Sequence, residues 1–364
     1  MKVKIVVEDL KRSLGKLSKA VVKNPTMDAI GRVRVSVKDN MAHMTCTDLS
    51  IEKSVIINCD SEDEFVISIP FFKLFNLIKT YADDKSITLT LKDDHAVLVC
   101  GKSRNKMPTF PSDDFPSVIT GDKVEIEADP IAISEAISMV SFAAGRNDVM
   151  QVVNSVAICC SENGLDVVST NKALMAIKEV NCKSEFENVL IPIKSSSVVK
   201  EDLIEATKIE TDKRSLIVTG DDFETIVNLI DGKFLNYNGA IPKVPVKHQL
   251  TFSKEAMLEC LNRITVIADD PLKSRCIIDA PSDSNEATIR GRFLVGDASE
   301  IDESLPIENK SAIDMEIAYN PYYLSQSMSK LDCDMVTCTI HDNKLHPLVI
   351  QWGGFTSVIT QVLM

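Results

Sequence analysis

The sequence predicts an α+β protein built from three tandem copies of one domain, each running β-α-β-β-β-β-α-β-β. Three observations lead there. A short strand followed by an amphipathic helix opens the chain and returns twice, with helix starts near Asp9, Pro130 and Lys254, about 120 residues apart, the size of a small domain. Pro70, Pro192 and Pro321 open a second helix in each copy at a similar interval. A chain of 364 residues, 45% of them apolar, has enough length and apolar material for three such cores. The boundaries fall at 1–121, 122–246 and 247–364.

In the first copy Val3, Ile5 and Val7 alternate at period two, and Leu10, Leu14, Leu17 and Val21 then recur at three- and four-residue intervals. At 100° per residue those four side chains fall within about 60° of one another, while Arg12, Lys16, Lys19 and Lys23 cluster on the opposite face. Strands follow at 32–37, 42–47, 50–58 and 65–69, with Asp39 and Asn40 as turn residues. Pro70 starts a helix with Leu74, Leu77, Ile78 and Tyr81 inward and Lys73 and Lys79 on its far side. Two strands, 87–91 and 96–100, close the copy, and Pro108, Pro111 and Pro116 mark the connection onward.

The second copy repeats the order. Val124 and Ile126 lead through Asp129 and Pro130 into a helix buried along Ile133, Ala136, Ile137, Val140 and Ala144. Strands at 152–160, 164–169, 174–180 and 189–191, a helix from Pro192, and strands at 207–210 and 215–218 complete it. In the third copy Leu250 and Phe252 lead through Ser253 into a helix buried along Met257, Cys260, Leu261 and Ile264. Strands at 276–279, 288–290 and 315–319, a helix from Asn320 and Pro321, and strands at 335–341 and 348–351 follow.

No stretch approaches the roughly 18 unbroken apolar residues of a membrane span, and the chain enters a strand at once, so a soluble cytoplasmic protein is expected. The ten cysteines form no Cys-x-x-Cys pair and read as free thiols in a reducing compartment. His341 and His346 bracket Asp342 in what reads as a hairpin loop, and no histidine spacing suits a metal; neither metal nor cofactor is expected. An enzyme would need convergent chemistry, yet Gly101-Lys102-Ser103 lacks the upstream glycine of a phosphate loop and no Gly-x-Ser-x-Gly occurs.

Six helices per chain have a geometric consequence. Twelve helices from two chains, lining a twofold ring at about 9 Å spacing, give an axis-to-axis diameter near 35 Å and an opening of about 25 Å once the helices' own thickness is removed. A nucleic-acid duplex passes through such an opening.

At this point the residues carry a resemblance over essentially the whole chain. Thr47-Asp48-Leu49, Pro111-Ser112-Asp113-Asp114-Phe115-Pro116, Asp231-Gly232-Lys233-Phe234 with Tyr237 and Pro242, and Asn320 with Tyr323, in this order on a threefold repeat, resemble the bacterial-type sliding clamps, the β subunits of DNA polymerase III. The resemblance implies a head-to-tail homodimeric ring of six domains, helices inside and sheets outside, that encircles double-stranded DNA without sequence specificity and tethers DNA polymerase. It implies no catalysis. Weak attraction to phosphates is what sliding requires. A net charge of −13 then fits an acidic exterior around inward-facing Arg12, Lys16, Lys19, Lys23, Lys73, Lys79, Arg146, Lys194, Lys200, Arg263 and Lys330.

By the same resemblance, an apolar pocket between the second and third domains receives short motifs from polymerase, clamp loader and other DNA-processing proteins. The matching positions are Val153, Thr170, Lys172, Leu174, Met175, Leu235, Asn320, Tyr323, His346, Val358, Ile359, Thr360, Gln361 and Val362. Here the chain departs from its relatives: Thr-Asp-Gly-His-Arg-Leu reads Thr170-Asn171-Lys172-Ala173-Leu174-Met175, and the Met-Pro-Met-Arg ending reads Thr360-Gln361-Val362-Leu363. The substitutions place Lys172 and Leu174 on the rim, as for a pocket retuned in a divergent or phage-encoded system. Ring closure would bring Lys106 and Met107 against Val266 and Ile267, with Asn105 where the family has a large apolar residue, which predicts a weak interface. The rival reading is a peripheral membrane or scaffold protein anchored by the basic first helix, with no role on DNA.

Overall fold

The computed structural model describes residues 1–182, 185–243, 248–268, 270, 272–282, 284–293, 300–311, 314–340 and 347–362. The first copy contains β1 (Lys2–Val6), α1 (Val7–Leu17), β2 (Arg32–Lys38), β3 (Met41–Thr47), β4 (Ile51–Asn58), β5 (Phe65–Pro70), α2 (Phe71–Lys79), β6 (Ser86–Leu91), β7 (His95–Cys100) and β8 (Ser103–Pro108). The second contains β9 (Val124–Glu125), α3 (Pro130–Val140), β10 (Ser155–Ser161), β11 (Gly164–Thr170), β12 (Leu174–Val180), β13 (Val189–Pro192), α4 (Ser196–Leu203), β14 (Ala206–Thr211), β15 (Ser215–Gly220) and β16 (Phe223–Asn228). The third contains β17 (His248–Ser253), α5 (Lys254–Ile267), β18 (Arg275–Ala280), β19 (Glu286–Arg292), β20 (Ile301–Asn309), β21 (Met315–Tyr319), α6 (Pro321–Met328), β22 (Met335–Ile340), β23 (Leu348–Trp352) and β24 (Phe355–Ile359).

Each copy therefore closes on a third strand that periodicity did not announce: β8, β16 and β24. The third copy also gains β20. Ser103–Pro108 carries Arg104, Asn105 and Lys106, and Ile301–Asn309 carries Asp302, Glu303 and Glu308, so neither has the apolar alternation of a half-buried strand. β8 stands at the margin of its sheet, and β20 is paired on one side only along Ile301–Pro306; on such open edges charge is tolerated and discourages adventitious pairing.

The chain divides into two compact units, Met1–Ser134 with Ser184–Leu229, and Glu135–Lys183 with Ile230–Met364. In the first, β1-β6-β7-β8 form one antiparallel sheet and β5-β2-β3-β4-β16-β15-β14-β9 a second. In the other, the strands run β10-β11-β12-β24-β23-β22-β17-β20-β19-β18-β21. One joint occurs twice. The third sheet strand of a copy pairs antiparallel with the last strand of the next, β4 with β16 through Phe223↔Val55, and β12 with β24 through Phe355↔Lys178.

Helix limits and buried faces differ in part from the sequence expectation. After α1 the chain makes a short 3-10 turn at Ser18–Ala20 and extends at Val21, so Val21 and Lys23 lie beyond the helix. Pro192 ends β13 and α4 begins at Ser196, which puts Lys194 in the intervening turn. On α2 the buried side is Phe71, Leu74, Phe75 and Ile78, because two aromatic rings fill more core than Leu77 and Tyr81, which stay half-exposed. The other apolar stripes are buried: Leu10, Leu14 and Leu17, then Ile133, Ala136, Ile137 and Val140, then Met257, Cys260, Leu261 and Ile264; Ala144, expected on the second of these helices, is buried beyond it, after a 3-10 turn at Ser141–Ala143. None of the ten cysteines is joined in a disulfide. Burial pushes the Cys159 thiol up to about 12 and the Cys260 thiol to about 11, which keeps both protonated and inert.

Candidate functional site

The α1 cations do not stand bare. Its apolar stripe faces the core of its unit, and the opposite face carries Arg12 and Lys16, with Lys19 in the turn that follows. Arg12 pairs with Asp9 at 3.2 Å, one helical turn back. Lys16 Nζ donates to Glu205 at 2.8 Å and to Asp222 at 2.9 Å, and lies 5.0 Å from the Phe223 ring centre. Lys19 pairs with Glu201 of α4. Burial pulls the Lys16 ammonium down, but the hydrogen bonds and charges of Glu205 and Asp222 outweigh it and hold its pKa above the ordinary lysine value.

Behind this layer lies a buried ion pair. Lys53 on β4 is 1% exposed and pairs with Asp202 of α4, whose other carboxylate oxygen accepts from Thr225 Oγ1 at 2.7 Å. The Lys53 ammonium also lies 5.2 Å from the Phe223 ring centre. Burial lowers the Lys53 pKa; Asp202 opposes that, and the charges of Lys19 and Lys16 add to it. Such a pair fixes how α4 seats on β4, and so where Glu201 and Glu205 meet α1.

Other expected DNA-facing cations differ in setting. Lys23, Lys73, Lys79 and Lys194 are exposed and Lys200 is half-buried. Lys79 lies 3.7 Å from the Phe75 ring centre. In the other unit Arg146 is exposed on the loop after α3, and Lys330 lies 5.7 Å from the Phe142 ring centre. Arg263 is held from Nε and Nη2 by Glu303 at 2.6 and 2.7 Å, which raises its pKa further and leaves it little net charge to offer. Among the described residues no carboxylate pairs with Lys23, Lys73, Lys79, Arg146, Lys194, Lys200 or Lys330.

The candidate pocket residues converge on the turn from β11 to β12. Thr170 Oγ1 donates to the Leu174 carbonyl at 2.8 Å and accepts from Lys172 N at 3.0 Å. Asn171 Oδ1 accepts from Ala173 N and Leu174 N, and its Nδ2 donates to Tyr323 Oη at 3.1 Å. Lys172 holds φ +78, the left-handed conformation that the resembling sequences meet with glycine. Its ammonium is chelated by both Asp148 oxygens at 2.8 and 2.7 Å, and that hydrogen bonding holds the Asp148 carboxyl below the usual range.

Gly145 N joins Val153 and Thr170 to the same place through their carbonyls. Asn320 caps α6 by accepting from Tyr323 N, and donates to the Leu272 carbonyl. From the chain's far end, β24 sets Ile359 opposite Leu174 and Val358 opposite Met175; Thr360 N then bonds Ala173 O and Val362 N bonds Ala318 O. Leu174 is only 1% exposed, so it packs the sheet and does not form the rim position expected of it. Lys172 is exposed, and Tyr323, Leu235, Gln361 and Val362 are half-exposed. His346 lies outside the described residues.

At the expected ring interface Lys106 is exposed on β8, but Met107 is 6% exposed and belongs to its own unit's core. Asn105 is no gap: it donates to Tyr81 Oη at 2.7 Å and Ser103 Oγ at 3.0 Å. Val266 and Ile267, at the end of α5, are 75% and 46% exposed. Among the described residues no cluster of histidine, cysteine or carboxylate side chains is placed to hold a metal, and no helix is long and apolar enough to cross a membrane.

Comparison with known proteins adds the following. Residues 1–119 match the family model for the DNA polymerase III beta subunit N-terminal domain, and residues 126–236 that for its central domain. The beta sliding clamp of Pseudomonas putida is 23% identical over 362 residues, covering 95% of each chain, and that of Escherichia coli K12 is 21% identical, covering 94% of each. The Caulobacter crescentus pol III beta structure shares the fold at TM-score 0.93, 18% identity and full coverage of both chains. The Thermotoga maritima DNA polymerase III beta subunit does so at 0.85 and 22%, covering 100% of this chain and 99% of the other.

Proposed function

The chain belongs to the DNA polymerase III beta-subunit family, and from that membership we propose a beta sliding clamp that acts by being threaded on duplex DNA, closing head to tail as a homodimer and catalysing no reaction. One observation carries the ring. The joint of β4 to β16 and of β12 to β24 uses up every third-strand and last-strand edge except two: the outer edge of β8 and that of β20 along Ile301–Pro306. These are the two halves of the same joint, on one chain, and among the described residues no strand pairs with either. Each complements its counterpart on a second chain, which is a heterologous contact that ends only in a closed ring or a filament. Two chains of three copies, 1–121, 122–246 and 247–364, supply the six domains and the opening of about 25 Å derived from helix spacing.

Within that ring, the free cations Lys23, Lys73, Lys79, Arg146, Lys194, Lys200 and Lys330 would meet phosphates, with Arg12, Lys16, Lys19 and Arg263 attenuated by their carboxylates. The site of action is the cytoplasm, where the DNA is. Burial of Leu10, Leu14 and Leu17 speaks against the membrane-anchor reading, since the apolar stripe a bilayer would need is spent on the core. Protein loaded on a nicked circular duplex should stay with it through gel filtration and fall off once the circle is linearised. Equal retention on circle and line would mean gripping, and would overturn threading.

The turn 170–175 with Tyr323 and the segment 358–362 is the docking pocket for motifs of polymerase, clamp loader and other DNA-processing proteins. In a titration with a motif peptide from the partner polymerase, Tyr323→Ala should weaken binding about tenfold, equivalent to about 1.4 kcal/mol. Tyr323 is the cleaner probe, because Leu174→Asp would bury a charge in the sheet. Unchanged affinity moves the pocket away from these positions.

A further inference from the structure

We propose that Glu201, Glu205 and Asp222 tune the grip on DNA by competing with phosphate for Lys16 and Lys19. The proposal rests on the reading of α1 as DNA-facing. Along this face Arg12, Lys16 and Lys19 meet Asp9, Glu201, Glu205 and Asp222, so three cations stand among four carboxylates. Three of those carboxylates come from the second copy, 182 to 206 positions away, and are not helix-surface pairs of α1 itself.

Their placement is built. The buried Lys53–Asp202 pair anchors α4, from which Glu201 projects and after which Glu205 follows; Asp222 sits in the turn between β15 and β16. The outer pairs are open at Lys19–Glu201, 41% and 48% exposed at the side chain, and half-buried at Lys16, where Lys16 is 21%, Asp222 31% and Glu205 64% exposed, so an incoming phosphate reaches Lys19 directly and Lys16 from the Glu205 side. Exposed pairs of this kind are weak and exchangeable, whereas the buried pair behind them is not.

For a protein that must move along its track, this arrangement has a use. A lysine leaving one phosphate meets a carboxylate within 3 Å instead of waiting bare, and the residual negative charge repels the phosphate behind it. Both effects hold affinity down and lower the salt dependence of binding, because a lysine already neutralised releases no counterion from DNA when it stays paired.

The test uses the full-length Glu201→Gln/Glu205→Gln/Asp222→Asn variant and a fluorescent duplex, with affinity measured across a salt series and thermal unfolding followed in parallel. Competition predicts binding about threefold to tenfold tighter at low salt, and a plot of log affinity against log salt steeper by about 0.9 for each lysine released. It also predicts that Lys16→Gln/Lys19→Gln costs more affinity in the variant than in the parent. If affinity and slope stay at parental values while the lysine substitutions weaken the parent, the carboxylates are structural only and the proposal is wrong. If the lysine substitutions change nothing in either background, α1 does not meet DNA. That separate result removes the DNA-facing reading, and this proposal with it.

Discussion

Replacing Asp202 by alanine lowers folding stability by about 3–5 kcal/mol, the largest effect expected of any single substitution outside the apolar core. Lys53 is 1% exposed, and with Asp202 gone its ammonium keeps only the Phe223 ring, while Thr225 loses its acceptor. Lys16 and Lys19 already depress the Lys53 pKa, and without the intervening carboxylate their repulsion is felt in full. The deficit is pH-dependent in a defined direction. Because burial holds the folded-state pKa of Lys53 below its ordinary 10.5, the unfolded chain binds more protons between the two values, so the variant regains stability as pH rises through that window. Urea denaturation at neutral and alkaline pH reads both effects. The triple replacement Lys53→Met, Asp202→Leu and Thr225→Val should lie within about 1 kcal/mol of the parent, because it removes both charges, with their desolvation cost and attraction, together with the buried hydroxyl that would otherwise lose its acceptor. A loss as large as that of Asp202→Ala would show that shape, and not charge, governs the site.

Reversing the charge of β8 should dissolve the proposed ring. The register that sets Phe223 opposite Val55 and Phe355 opposite Lys178, carried to the free edges, sets Arg104 of one chain opposite Asp302 of the next and Lys106 opposite Glu300. Directly opposed residues on antiparallel strands share a face, so in the proposed dimer the cationic edge would meet the acidic one side chain by side chain. Arg104→Glu with Lys106→Glu replaces two attractions by two repulsions, and the dimer dissociation constant should rise about 100-fold, equivalent to about 2.7 kcal/mol. Sedimentation velocity on a dilution series measures it, and retention on circular DNA should fall in step. Adding Glu300→Lys and Asp302→Lys should restore part of the dimer, limited by the loss of both residues' pairing with Arg292. An unchanged sedimentation profile would place the contact elsewhere.

The parts of this fold legible in the sequence were those whose signal is local. Leu10, Leu14 and Leu17 mark one helix, Met257, Cys260, Leu261 and Ile264 another, and Asn320-Pro321 is a cap and first turn in two residues. The strands that went unread are β8 and β20, whose outer faces are charged, and β16 and β24, which pair with a different copy of the repeat. The same limit applies to the site. Lysines on one face of α1 are visible as a pattern, but the acids that meet them lie 182 to 206 positions away, and no spacing rule reaches so far. Lys172 was visible as a departure from glycine. Its partner Asp148, 24 residues earlier in a loop without periodicity, was not.

The repeated strand joint also bears on where such a ring would come apart. Two of its three kinds of joint, β4 with β16 and β12 with β24, connect stretches of a single polypeptide, so a break there is met by its own other half at an effective concentration on the order of millimolar and heals at once. The proposed joint between chains would have the same backbone pairing but no tether, and its rejoining would depend on how much protein is present. Equal bonds would thus acquire unequal lifetimes through covalent connectivity alone, and a ring of this kind that opened to admit DNA would have its gate between β8 of one polypeptide and β20 of the other.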